Sequence, residues 1–418
     1  MKKAQFYTLG CKLNRAETAQ VSGLWLFEGW AQPITTGEAP DVVFINTCAV
    51  TEKAAAKSRH AINRLIREHP QATIVAAGCL AQHNPQETAR LPGVHFVIGT
   101  QDRFDADFRS LGGRVLTRPP RDCRLIVSSD FNKPLHLSFP VYGDHARPFV
   151  KIQDGCDQGC SYCIIPKLRG SNRSVPESEI TDFIRQLAHA GAKEIVLTGV
   201  RIGSWGQDLP EKKNLAGLLS RLIDLPGIRR IRLGSLEPWE LTDDIIQLFK
   251  DNVKICPHLH LPLQHIHSAI LERMGRPPLG DGLDRIYDLA EHNPDLAIGV
   301  DLIIGFPGES EAECSYLIER LRRLPLAYMH LFTFSRRPGV PAATFEPQTS
   351  PIQIKKRYAE LRELDGLKRT QFYQSQAGKI REAIPDHWRE GEPWTRAVTD
   401  NYLHLTIPTE SVVPGQPV

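Results

Sequence analysis

At 418 residues the chain is long enough for two or three domains with full-sized cores. Its 41% hydrophobic and 24% charged residues are ordinary for a globular protein, and no apolar run could span a bilayer, which excludes a helical membrane protein. A net charge of +3 excludes a chain-wide basic field, so any nucleic-acid surface must be local. Nine cysteines, with no secretory signal ahead of the first strand, point to a reducing compartment, and the cytoplasm is the expected location.

The first third repeats one pattern three times. Gln5-Phe-Tyr-Thr-Leu-Gly10 runs into Cys11, Val42-Val-Phe-Ile-Asn-Thr47 into Cys48, and Ala72-Thr-Ile-Val-Ala-Ala-Gly78 into Cys79. Each is a β-branched or aromatic run followed by helix-compatible sequence, which predicts a parallel sheet with helices on its faces. Sites on such sheets gather at the carboxyl ends of the strands. Three cysteines in that position would converge as a metal or iron–sulfur site. The bland alternative is that each is a small buried hydrophobe. Cys123, Cys256 and Cys314 have no such company and read as packing residues. Residues 1–112 form the expected first domain. The Pro-, Gly- and Arg-bearing stretch from Gln101 to Pro140 predicts a linker, bounded at 113–141.

Next comes Gln153-Asp-Gly-Cys156-Asp-Gln-Gly-Cys160-Ser-Tyr-Cys163. Spacings of three and two residues let one loop present three thiolates to one face of an iron–sulfur cube. The fourth iron stays open to a ligand such as the amino-carboxylate of S-adenosylmethionine (SAM). A zinc loop would want a second ligand pair nearby, and none follows. This spacing resembles the signature of the radical SAM enzymes.

Strand-like and helical segments then alternate through residues 142–372. Glu194–Gly199, Arg230–Pro238, His258–Gln264, Ile298–Glu309 and Tyr328–Phe334 are the predicted strands with their exits, and Glu179–Ala190 and Thr242–Lys250 are predicted helices. His258, His260, His265 and His267 invite a metal reading, which strand alternation explains more cheaply for the first pair. Lys53, Lys57, Arg59, Arg64 and Arg67 crowd one predicted helix. Lys355, Lys356, Arg357, Arg362, Lys368 and Arg369 crowd another. Either set could meet RNA phosphates or be a solvated helix face. From Gly378 onward the character changes, with Trp388, Trp394, an Asp400-Asn401 turn and Tyr402, as in a small antiparallel β-barrel over residues 376–418.

Taken in order, Thr8-Leu-Gly-Cys11-Lys-Leu-Asn14, Asn46-Thr-Cys48-Ala-Val-Thr51, Ala77-Gly-Cys79-Leu-Ala-Gln82 and the radical SAM loop resemble the methylthiotransferases over nearly the whole chain. That resemblance implies an α/β architecture of three parts: an N-terminal parallel-sheet domain, a central radical SAM partial (βα) barrel, and a small C-terminal TRAM domain that binds RNA. It implies two [4Fe-4S] clusters, on Cys11/Cys48/Cys79 and on Cys156/Cys160/Cys163. SAM would serve twice, as methyl donor and as radical source. Lys12-Leu-Asn14, Ala49-Val-Thr51 and Phe334-Ser-Arg-Arg-Pro-Gly-Val-Pro-Ala-Ala343 look like the MtaB-type branch, which modifies C2 of N6-threonylcarbamoyladenosine beside the tRNA anticodon. Other branches modify isopentenyladenosine in tRNA or an aspartate of a ribosomal protein. A cluster-binding or RNA-binding paralogue without transferase activity is the reading from a different class.

Within this frame Tyr162 would flank the adenine of SAM, Gly199 would let backbone approach the methionine moiety, and Ser235 and Glu237 would bond the ribose or amino group. Thr198, Gln264 and Gly305 complete the expected SAM contacts. Expected RNA contacts are Lys53, Lys57, Arg59, Lys355, Lys356, Arg357 and Tyr402. Expected partners are the tRNA anticodon loop and a reductant such as flavodoxin or ferredoxin, with no membrane and a monomeric chain. Two departures stand out. His265-Ile266-His267 replaces the Ser-Gly-Ser of relatives, and Arg201 stands where they carry asparagine. The chain stops at Val418, where relatives run into another strand, so either the barrel is incomplete or the strand assignment is off.

Overall fold

The computed structural model describes residues 2–34, 37–104, 122–137, 147–387 and 392–412. Most of the expected linker, Trp388 and the tail beyond Val412 lie outside the described residues. The chain divides into two compact units. One comprises residues 1–141, 154–157 and 163–175, the other residues 142–153, 158–162 and 176–418. The cysteine loop is thereby shared, Cys156 and Cys163 going with the first unit and Cys160 with the second. Among the described residues no helix is long and apolar enough to cross a membrane.

The first unit is an all-parallel sheet of β1 (Lys2–Thr8), β2 (Ala31–Pro33), β3 (Val42–Thr47), β4 (Thr73–Gly78), β5 (Phe96–Ile98) and β6 (Arg124–Ile126) in the order β2-β1-β3-β4-β5-β6. Strands β3 and β4 are buried along their whole length, as parallel strands covered on both faces must be. Helix α1 (Lys12–Phe27) sends Trp25 into the core, where its ring meets Phe6 and Phe44 at 5.3 and 5.5 Å. Helix α2 (Glu52–Glu68) starts where the Thr51 hydroxyl accepts from the Ala54 N–H, and it buries Ala55, Ser58, Ile62 and Leu65 on one face. Two short helices follow β4, α3 (Cys79–His83) and α4 (Pro85–Ala89). The strand order reverses direction between β1 and β3. In open parallel sheets that switch point is where ligands bind.

The second unit winds one way. Strands β7 (Phe149–Lys151), β10 (Glu194–Thr198) and β11 (Arg230–Leu233) form one parallel sheet, and β12 (His258–Gln264), β13 (Ala297–Ile304) and β14 (Tyr328–Thr333) another. Parallel bridges Ile231–Ile255 and Ser235–His260 join them, giving six strands in chain order. This is the expected partial barrel. The two-residue strands β8 (Gln153–Asp154) and β9 (Arg173–Ser174) flank the cysteine loop in the sequence, with α5 (Ile165–Arg169) between them. Crossovers run through α6 (Glu177–His189), α7 (Leu215–Ile223), α8 (Asp243–Asp251), α9 (Ser268–Arg273), α10 (Gly282–His292) and α11 (Glu311–Arg323). A Ser310–Glu313 capping box opens α11, and Ser350–Gln353 opens the long α12 (Pro351–Gln376).

The C-terminal region is a three-stranded antiparallel sheet of β15 (Ala383–His387), β16 (Trp394–Thr399) and β17 (His404–Pro408), an open sheet rather than a closed barrel among the described residues. Its hairpin tip docks on the barrel floor. Arg232 donates to the Thr399 carbonyl (2.9 Å), Asn401 donates to the Asp295 carbonyl (3.2 Å), and the Tyr402 ring lies 4.2 Å from that of His258. Beneath it Glu194 is fully buried among Arg147 (3.6 Å), Arg230 (2.6 Å) and Arg232 (2.7 Å). Burial works against ionising Glu194, but the three guanidiniums outweigh it and hold the carboxyl below its ordinary range.

Candidate functional site

In the first unit the three strand-end cysteines do converge. Cys11 follows β1, Cys48 follows β3 and Cys79 opens α3, so the first two stand on either side of the switch point. Gly10 (φ +94°) makes the approach possible, because a Cβ there would lie 2.7 Å from the Cys48 Cβ and 2.9 Å from its sulfur. The residues flanking the cysteines are the scaffold that holds them. Asn14 donates to the Leu9 and Thr47 carbonyls (2.7 and 3.0 Å), and Asn46 donates to the Asn14 carbonyl (2.9 Å). Ser58 accepts from the Cys48 N–H at 3.0 Å and donates to the Cys48 carbonyl at 2.8 Å.

A residue that sequence reasoning missed closes this site. Arg169, buried at the end of α5, donates to Glu17 (2.8 and 3.1 Å), Asp154 (3.0 and 3.1 Å), the Asn14 side-chain oxygen (2.9 Å) and the Cys79 sulfur (3.7 Å). Arg103 takes the other side of Glu17 at 2.9 Å and donates to Asn46 at 3.0 Å. Arg103 and Arg169 thus share two buried carboxylates, with Arg173 a further 3.9 Å from Asp154. Desolvation, and secondarily the neighbouring Cys79, pushes the Cys48 thiol up to about 12. Desolvation also raises the Cys11 thiol, against the opposing pull of Arg169. Cys11 nevertheless keeps an exposed surface. Three convergent sulfurs, one open side and a buried guanidinium suit a thiolate-ligated cluster, whose binding must displace the thiol protons.

In the second unit Cys160 has its own arginine. Arg276, buried, bonds Glu237 at 2.5 Å and the Pro262 carbonyl at 2.6 Å, and it stacks 4.8 Å from the Trp239 ring centroid. It also reaches the Tyr162 hydroxyl (3.5 Å) and the Cys160 sulfur (4.0 Å). Desolvation raises the Cys160 thiol, and Arg276 pulls it back. Ser161 anchors the loop: its N–H donates to the Met274 carbonyl (2.9 Å), its hydroxyl to the Arg273 carbonyl (2.9 Å), and its carbonyl accepts from Ala342 (2.8 Å). In the first unit, the Cys156 N–H donates to the Gly170 carbonyl (3.0 Å).

The expected SAM contacts stand at the carboxyl ends of the barrel strands, each with protein neighbours. Gly199 leaves no room for a Cβ against Gln153, 2.7 Å away, and Thr198 ends β10. Glu237 is committed to Arg276, and Ser235 meets the Nδ1 of His260 at 2.9 Å. Gln264 takes a positive φ of 63° at the end of β12, and the Gly305 N–H donates to Glu309 (2.9 Å). Tyr162 lies edge-on to Phe306, with ring centroids 6.4 Å apart. Arg201, where relatives carry asparagine, pairs with Glu240 at 2.5 Å.

The histidines go to separate partners. His258 bonds the Tyr328 hydroxyl (2.8 Å), His265 is buried beside Glu309 (3.4 Å), and His267 faces Glu313 (3.8 Å). His265 and Ile266 are packing residues, which is what replaces Ser-Gly-Ser here. His260 differs. Its Nε2 and the Nδ1 of His330 both donate to one Asp301 oxygen, each at 3.0 Å, so Ser235, His260, Asp301 and His330 form a polar line across β11 to β14. Burial opposes ionisation of Asp301, but the two imidazole hydrogen bonds outweigh it and hold the carboxyl well below its ordinary range. His330 ends the line with its side chain 46% exposed.

One expected RNA contact is corrected. Arg357 is 1% exposed, paired with Glu309 at 2.8 Å, because its face of α12 packs on the barrel. Lys368 from the same basic run is also turned inward, donating to the Arg322 and Leu324 carbonyls. Lys355 is exposed, Lys356 is exposed in a pair with Glu311, Lys53 and Lys57 are exposed on α2, and Arg59 is half-buried.

Comparison with known proteins agrees with this layout. Residues 3–99 match the family described as "Uncharacterized protein family UPF0004", and residues 150–321 match the radical SAM superfamily. The chain is 36% identical to the threonylcarbamoyladenosine tRNA methylthiotransferase MtaB of Aquifex aeolicus, over 96% of each chain. It is 36% identical to the protein of the same name from Bacillus subtilis, over 97% of this chain and 90% of that one. Among solved structures, the radical SAM methyltransferase TsrM of Kitasatospora setae shares the fold, with a TM-score of 0.58 at 13% identity, over 82% of this chain and 75% of that one. SAM and [4Fe-4S] clusters are the cofactors of this class. The chain belongs to the radical SAM methylthiotransferases, enzymes that transfer a methylthio group.

Proposed function

We propose that this enzyme adds a methylthio group to C2 of N6-threonylcarbamoyladenosine next to the tRNA anticodon, using two clusters. Cys156, Cys160 and Cys163 would hold the one that binds SAM, and Cys11, Cys48 and Cys79 the auxiliary one. The observation that carries the two-cluster reading is the convergence of three strand-end cysteines at the switch point with Arg169 against Cys79. Bound there, SAM and the clusters supply the one-electron chemistry that an unactivated aromatic C–H bond requires.

The protein's part is to bind and orient. Arg276 keeps positive charge beside the Cys160 sulfur and holds Glu237 at the carboxyl end of the barrel. Tyr162 offers a face for an adenine ring, backed edge-on by the buried Phe306, and the absence of a Cβ at Gly199 and Gly305 makes room for the Gln153 and Ile354 side chains beside the strand exits. The relatives from Aquifex and Bacillus carry the same substrate in their names. RNA phosphates would meet Lys53, Lys57 and Arg59 on α2, Lys355 and Lys356 on α12, with Tyr402 stacking nearby. A flavodoxin or ferredoxin would supply electrons to a monomeric, cytoplasmic enzyme.

The test is mass spectrometry of tRNA nucleosides from a strain lacking the gene. Loss of 2-methylthio-N6-threonylcarbamoyladenosine alone is the expected outcome. Loss of the isopentenyl counterpart instead would move the substrate to that branch, and unchanged methylthio nucleosides would remove both tRNA readings.

A further inference from the structure

Where α12 passes the edge strand β14 and the hairpin tip turns in, a pocket of about 130 Å³ opens. That is close to the size class of a single aromatic ring, since a void of about 150 Å³ accommodates benzene. Its floor is made of small residues, Ala297 and Ala327, and its walls are the rings of Tyr328, Phe372 and Tyr402. The rim is polar or exposed: Tyr373 is 48% exposed, and His330 and His404 both face solvent. Arg369 forms one wall, its guanidinium 5.4 Å from the Tyr328 ring centroid and fixed by Asp365 at 2.7 Å.

The backbone adds a second observation. Tyr402 takes a φ of +69°, a region that favours glycine or asparagine and is uncommon for a bulky side chain. Its ring is clasped by His258 on one side and by Arg232, 5.4 Å from its centroid, on another. Aromatic walls, a cationic face and hydrogen-bonding imidazoles at the mouth make up the chemistry that captures a base from a single strand.

We propose that this pocket takes an unpaired nucleobase of the RNA substrate, a base other than the one that is modified. Tyr373 covers its face, His330 and His404 meet its edges, and Arg369 lies against the ring system or the adjoining phosphate. The proposal rests on the RNA reading given above.

The experiment measures binding of a fluorescein-labelled anticodon stem-loop to the anaerobic, cluster-loaded protein. Each loop nucleotide is replaced in turn by an abasic unit. One abasic position, distinct from the modified adenosine, should weaken wild-type binding about 5- to 150-fold, the range that stacking of one base supplies. Tyr373→Ala should weaken the intact stem-loop to a similar degree, and the same abasic position should then cost nothing further. Tyr373→Phe should restore binding, and the salt dependence should stay unchanged because no phosphate contact is lost. Binding of Tyr373→Ala and His404→Ala within about twofold of wild type overturns the pocket alone. Failure of the wild type to bind any stem-loop overturns the pocket and the RNA reading together.

Discussion

The two sulfur sites are built on one plan and finished differently. Each places a buried arginine against a cysteine sulfur, Arg169 at Cys79 and Arg276 at Cys160. Arg169 is enclosed by Glu17 and Asp154, both fully buried, with Arg103 on Glu17 and Arg173, 3.9 Å from Asp154, completing a sealed network. Arg276 has a single carboxylate, Glu237, whose side chain keeps 14% of its surface in contact with solvent. A sealed network has one arrangement, since any broken member leaves a buried charge without a partner. An open one can exchange a protein partner for a ligand or water. The first site is therefore preorganised and the second adjustable, as the proposed SAM site would need to be.

The strongest break of this comparison is removal of a ligand from each side. Cys160→Ala should abolish SAM cleavage under reductant, whereas Cys48→Ala should spare cleavage and lose methylthio transfer, with each variant retaining about four of eight irons. Equal loss of cleavage in both would end the division of labour. Next in size is the pair of arginines. Arg169→Leu takes the partner shared by two buried carboxylates and should cost about 3–5 kcal/mol in anaerobic urea unfolding. Arg276→Leu should cost only about 1–3 kcal/mol, because Glu237 can turn to water. Losses of the same size would show that the second site is as closed as the first.

The smallest effect concerns pH at the barrel floor. The carboxyl of Glu194 is held below its ordinary value, so its stabilisation is fully present above about 4.5 and is lost as pH falls through the folded value. Glu194→Gln should be weaker at neutral pH and flatter on the acid side. A variant with the acid limb of the wild type would place that limb elsewhere, with Asp301 the next carboxyl to try.

The two cysteine sets were legible because their marks are local. Cys156, Cys160 and Cys163 announce themselves by spacing, and Cys11, Cys48 and Cys79 by their common place at strand ends. The arginines were not legible, since the meaning of each lies far off in sequence. Arg169 finds Glu17 152 residues away, and Arg276 finds Cys160 116 away. The same blindness produced the error at Arg357. A helix crowded with positive charge looks solvated from composition alone, and only the packing of α12 shows that this side chain turns inward to Glu309. The histidines were half legible. Alternation along β12 put His258 and His260 on one face, but Asp301 and His330 came from other strands.

Gly10 carries a consequence for heredity. Every amino-acid change that a single-base substitution can make in a glycine codon introduces a Cβ. At this position any Cβ would press on the Cys48 Cβ and sulfur. Arg15, a few codons on and exposed, is free to drift. Position 10 has no missense neighbour that leaves Cys48 where it is, so in a population it should vary as little as a ligand, although it binds nothing.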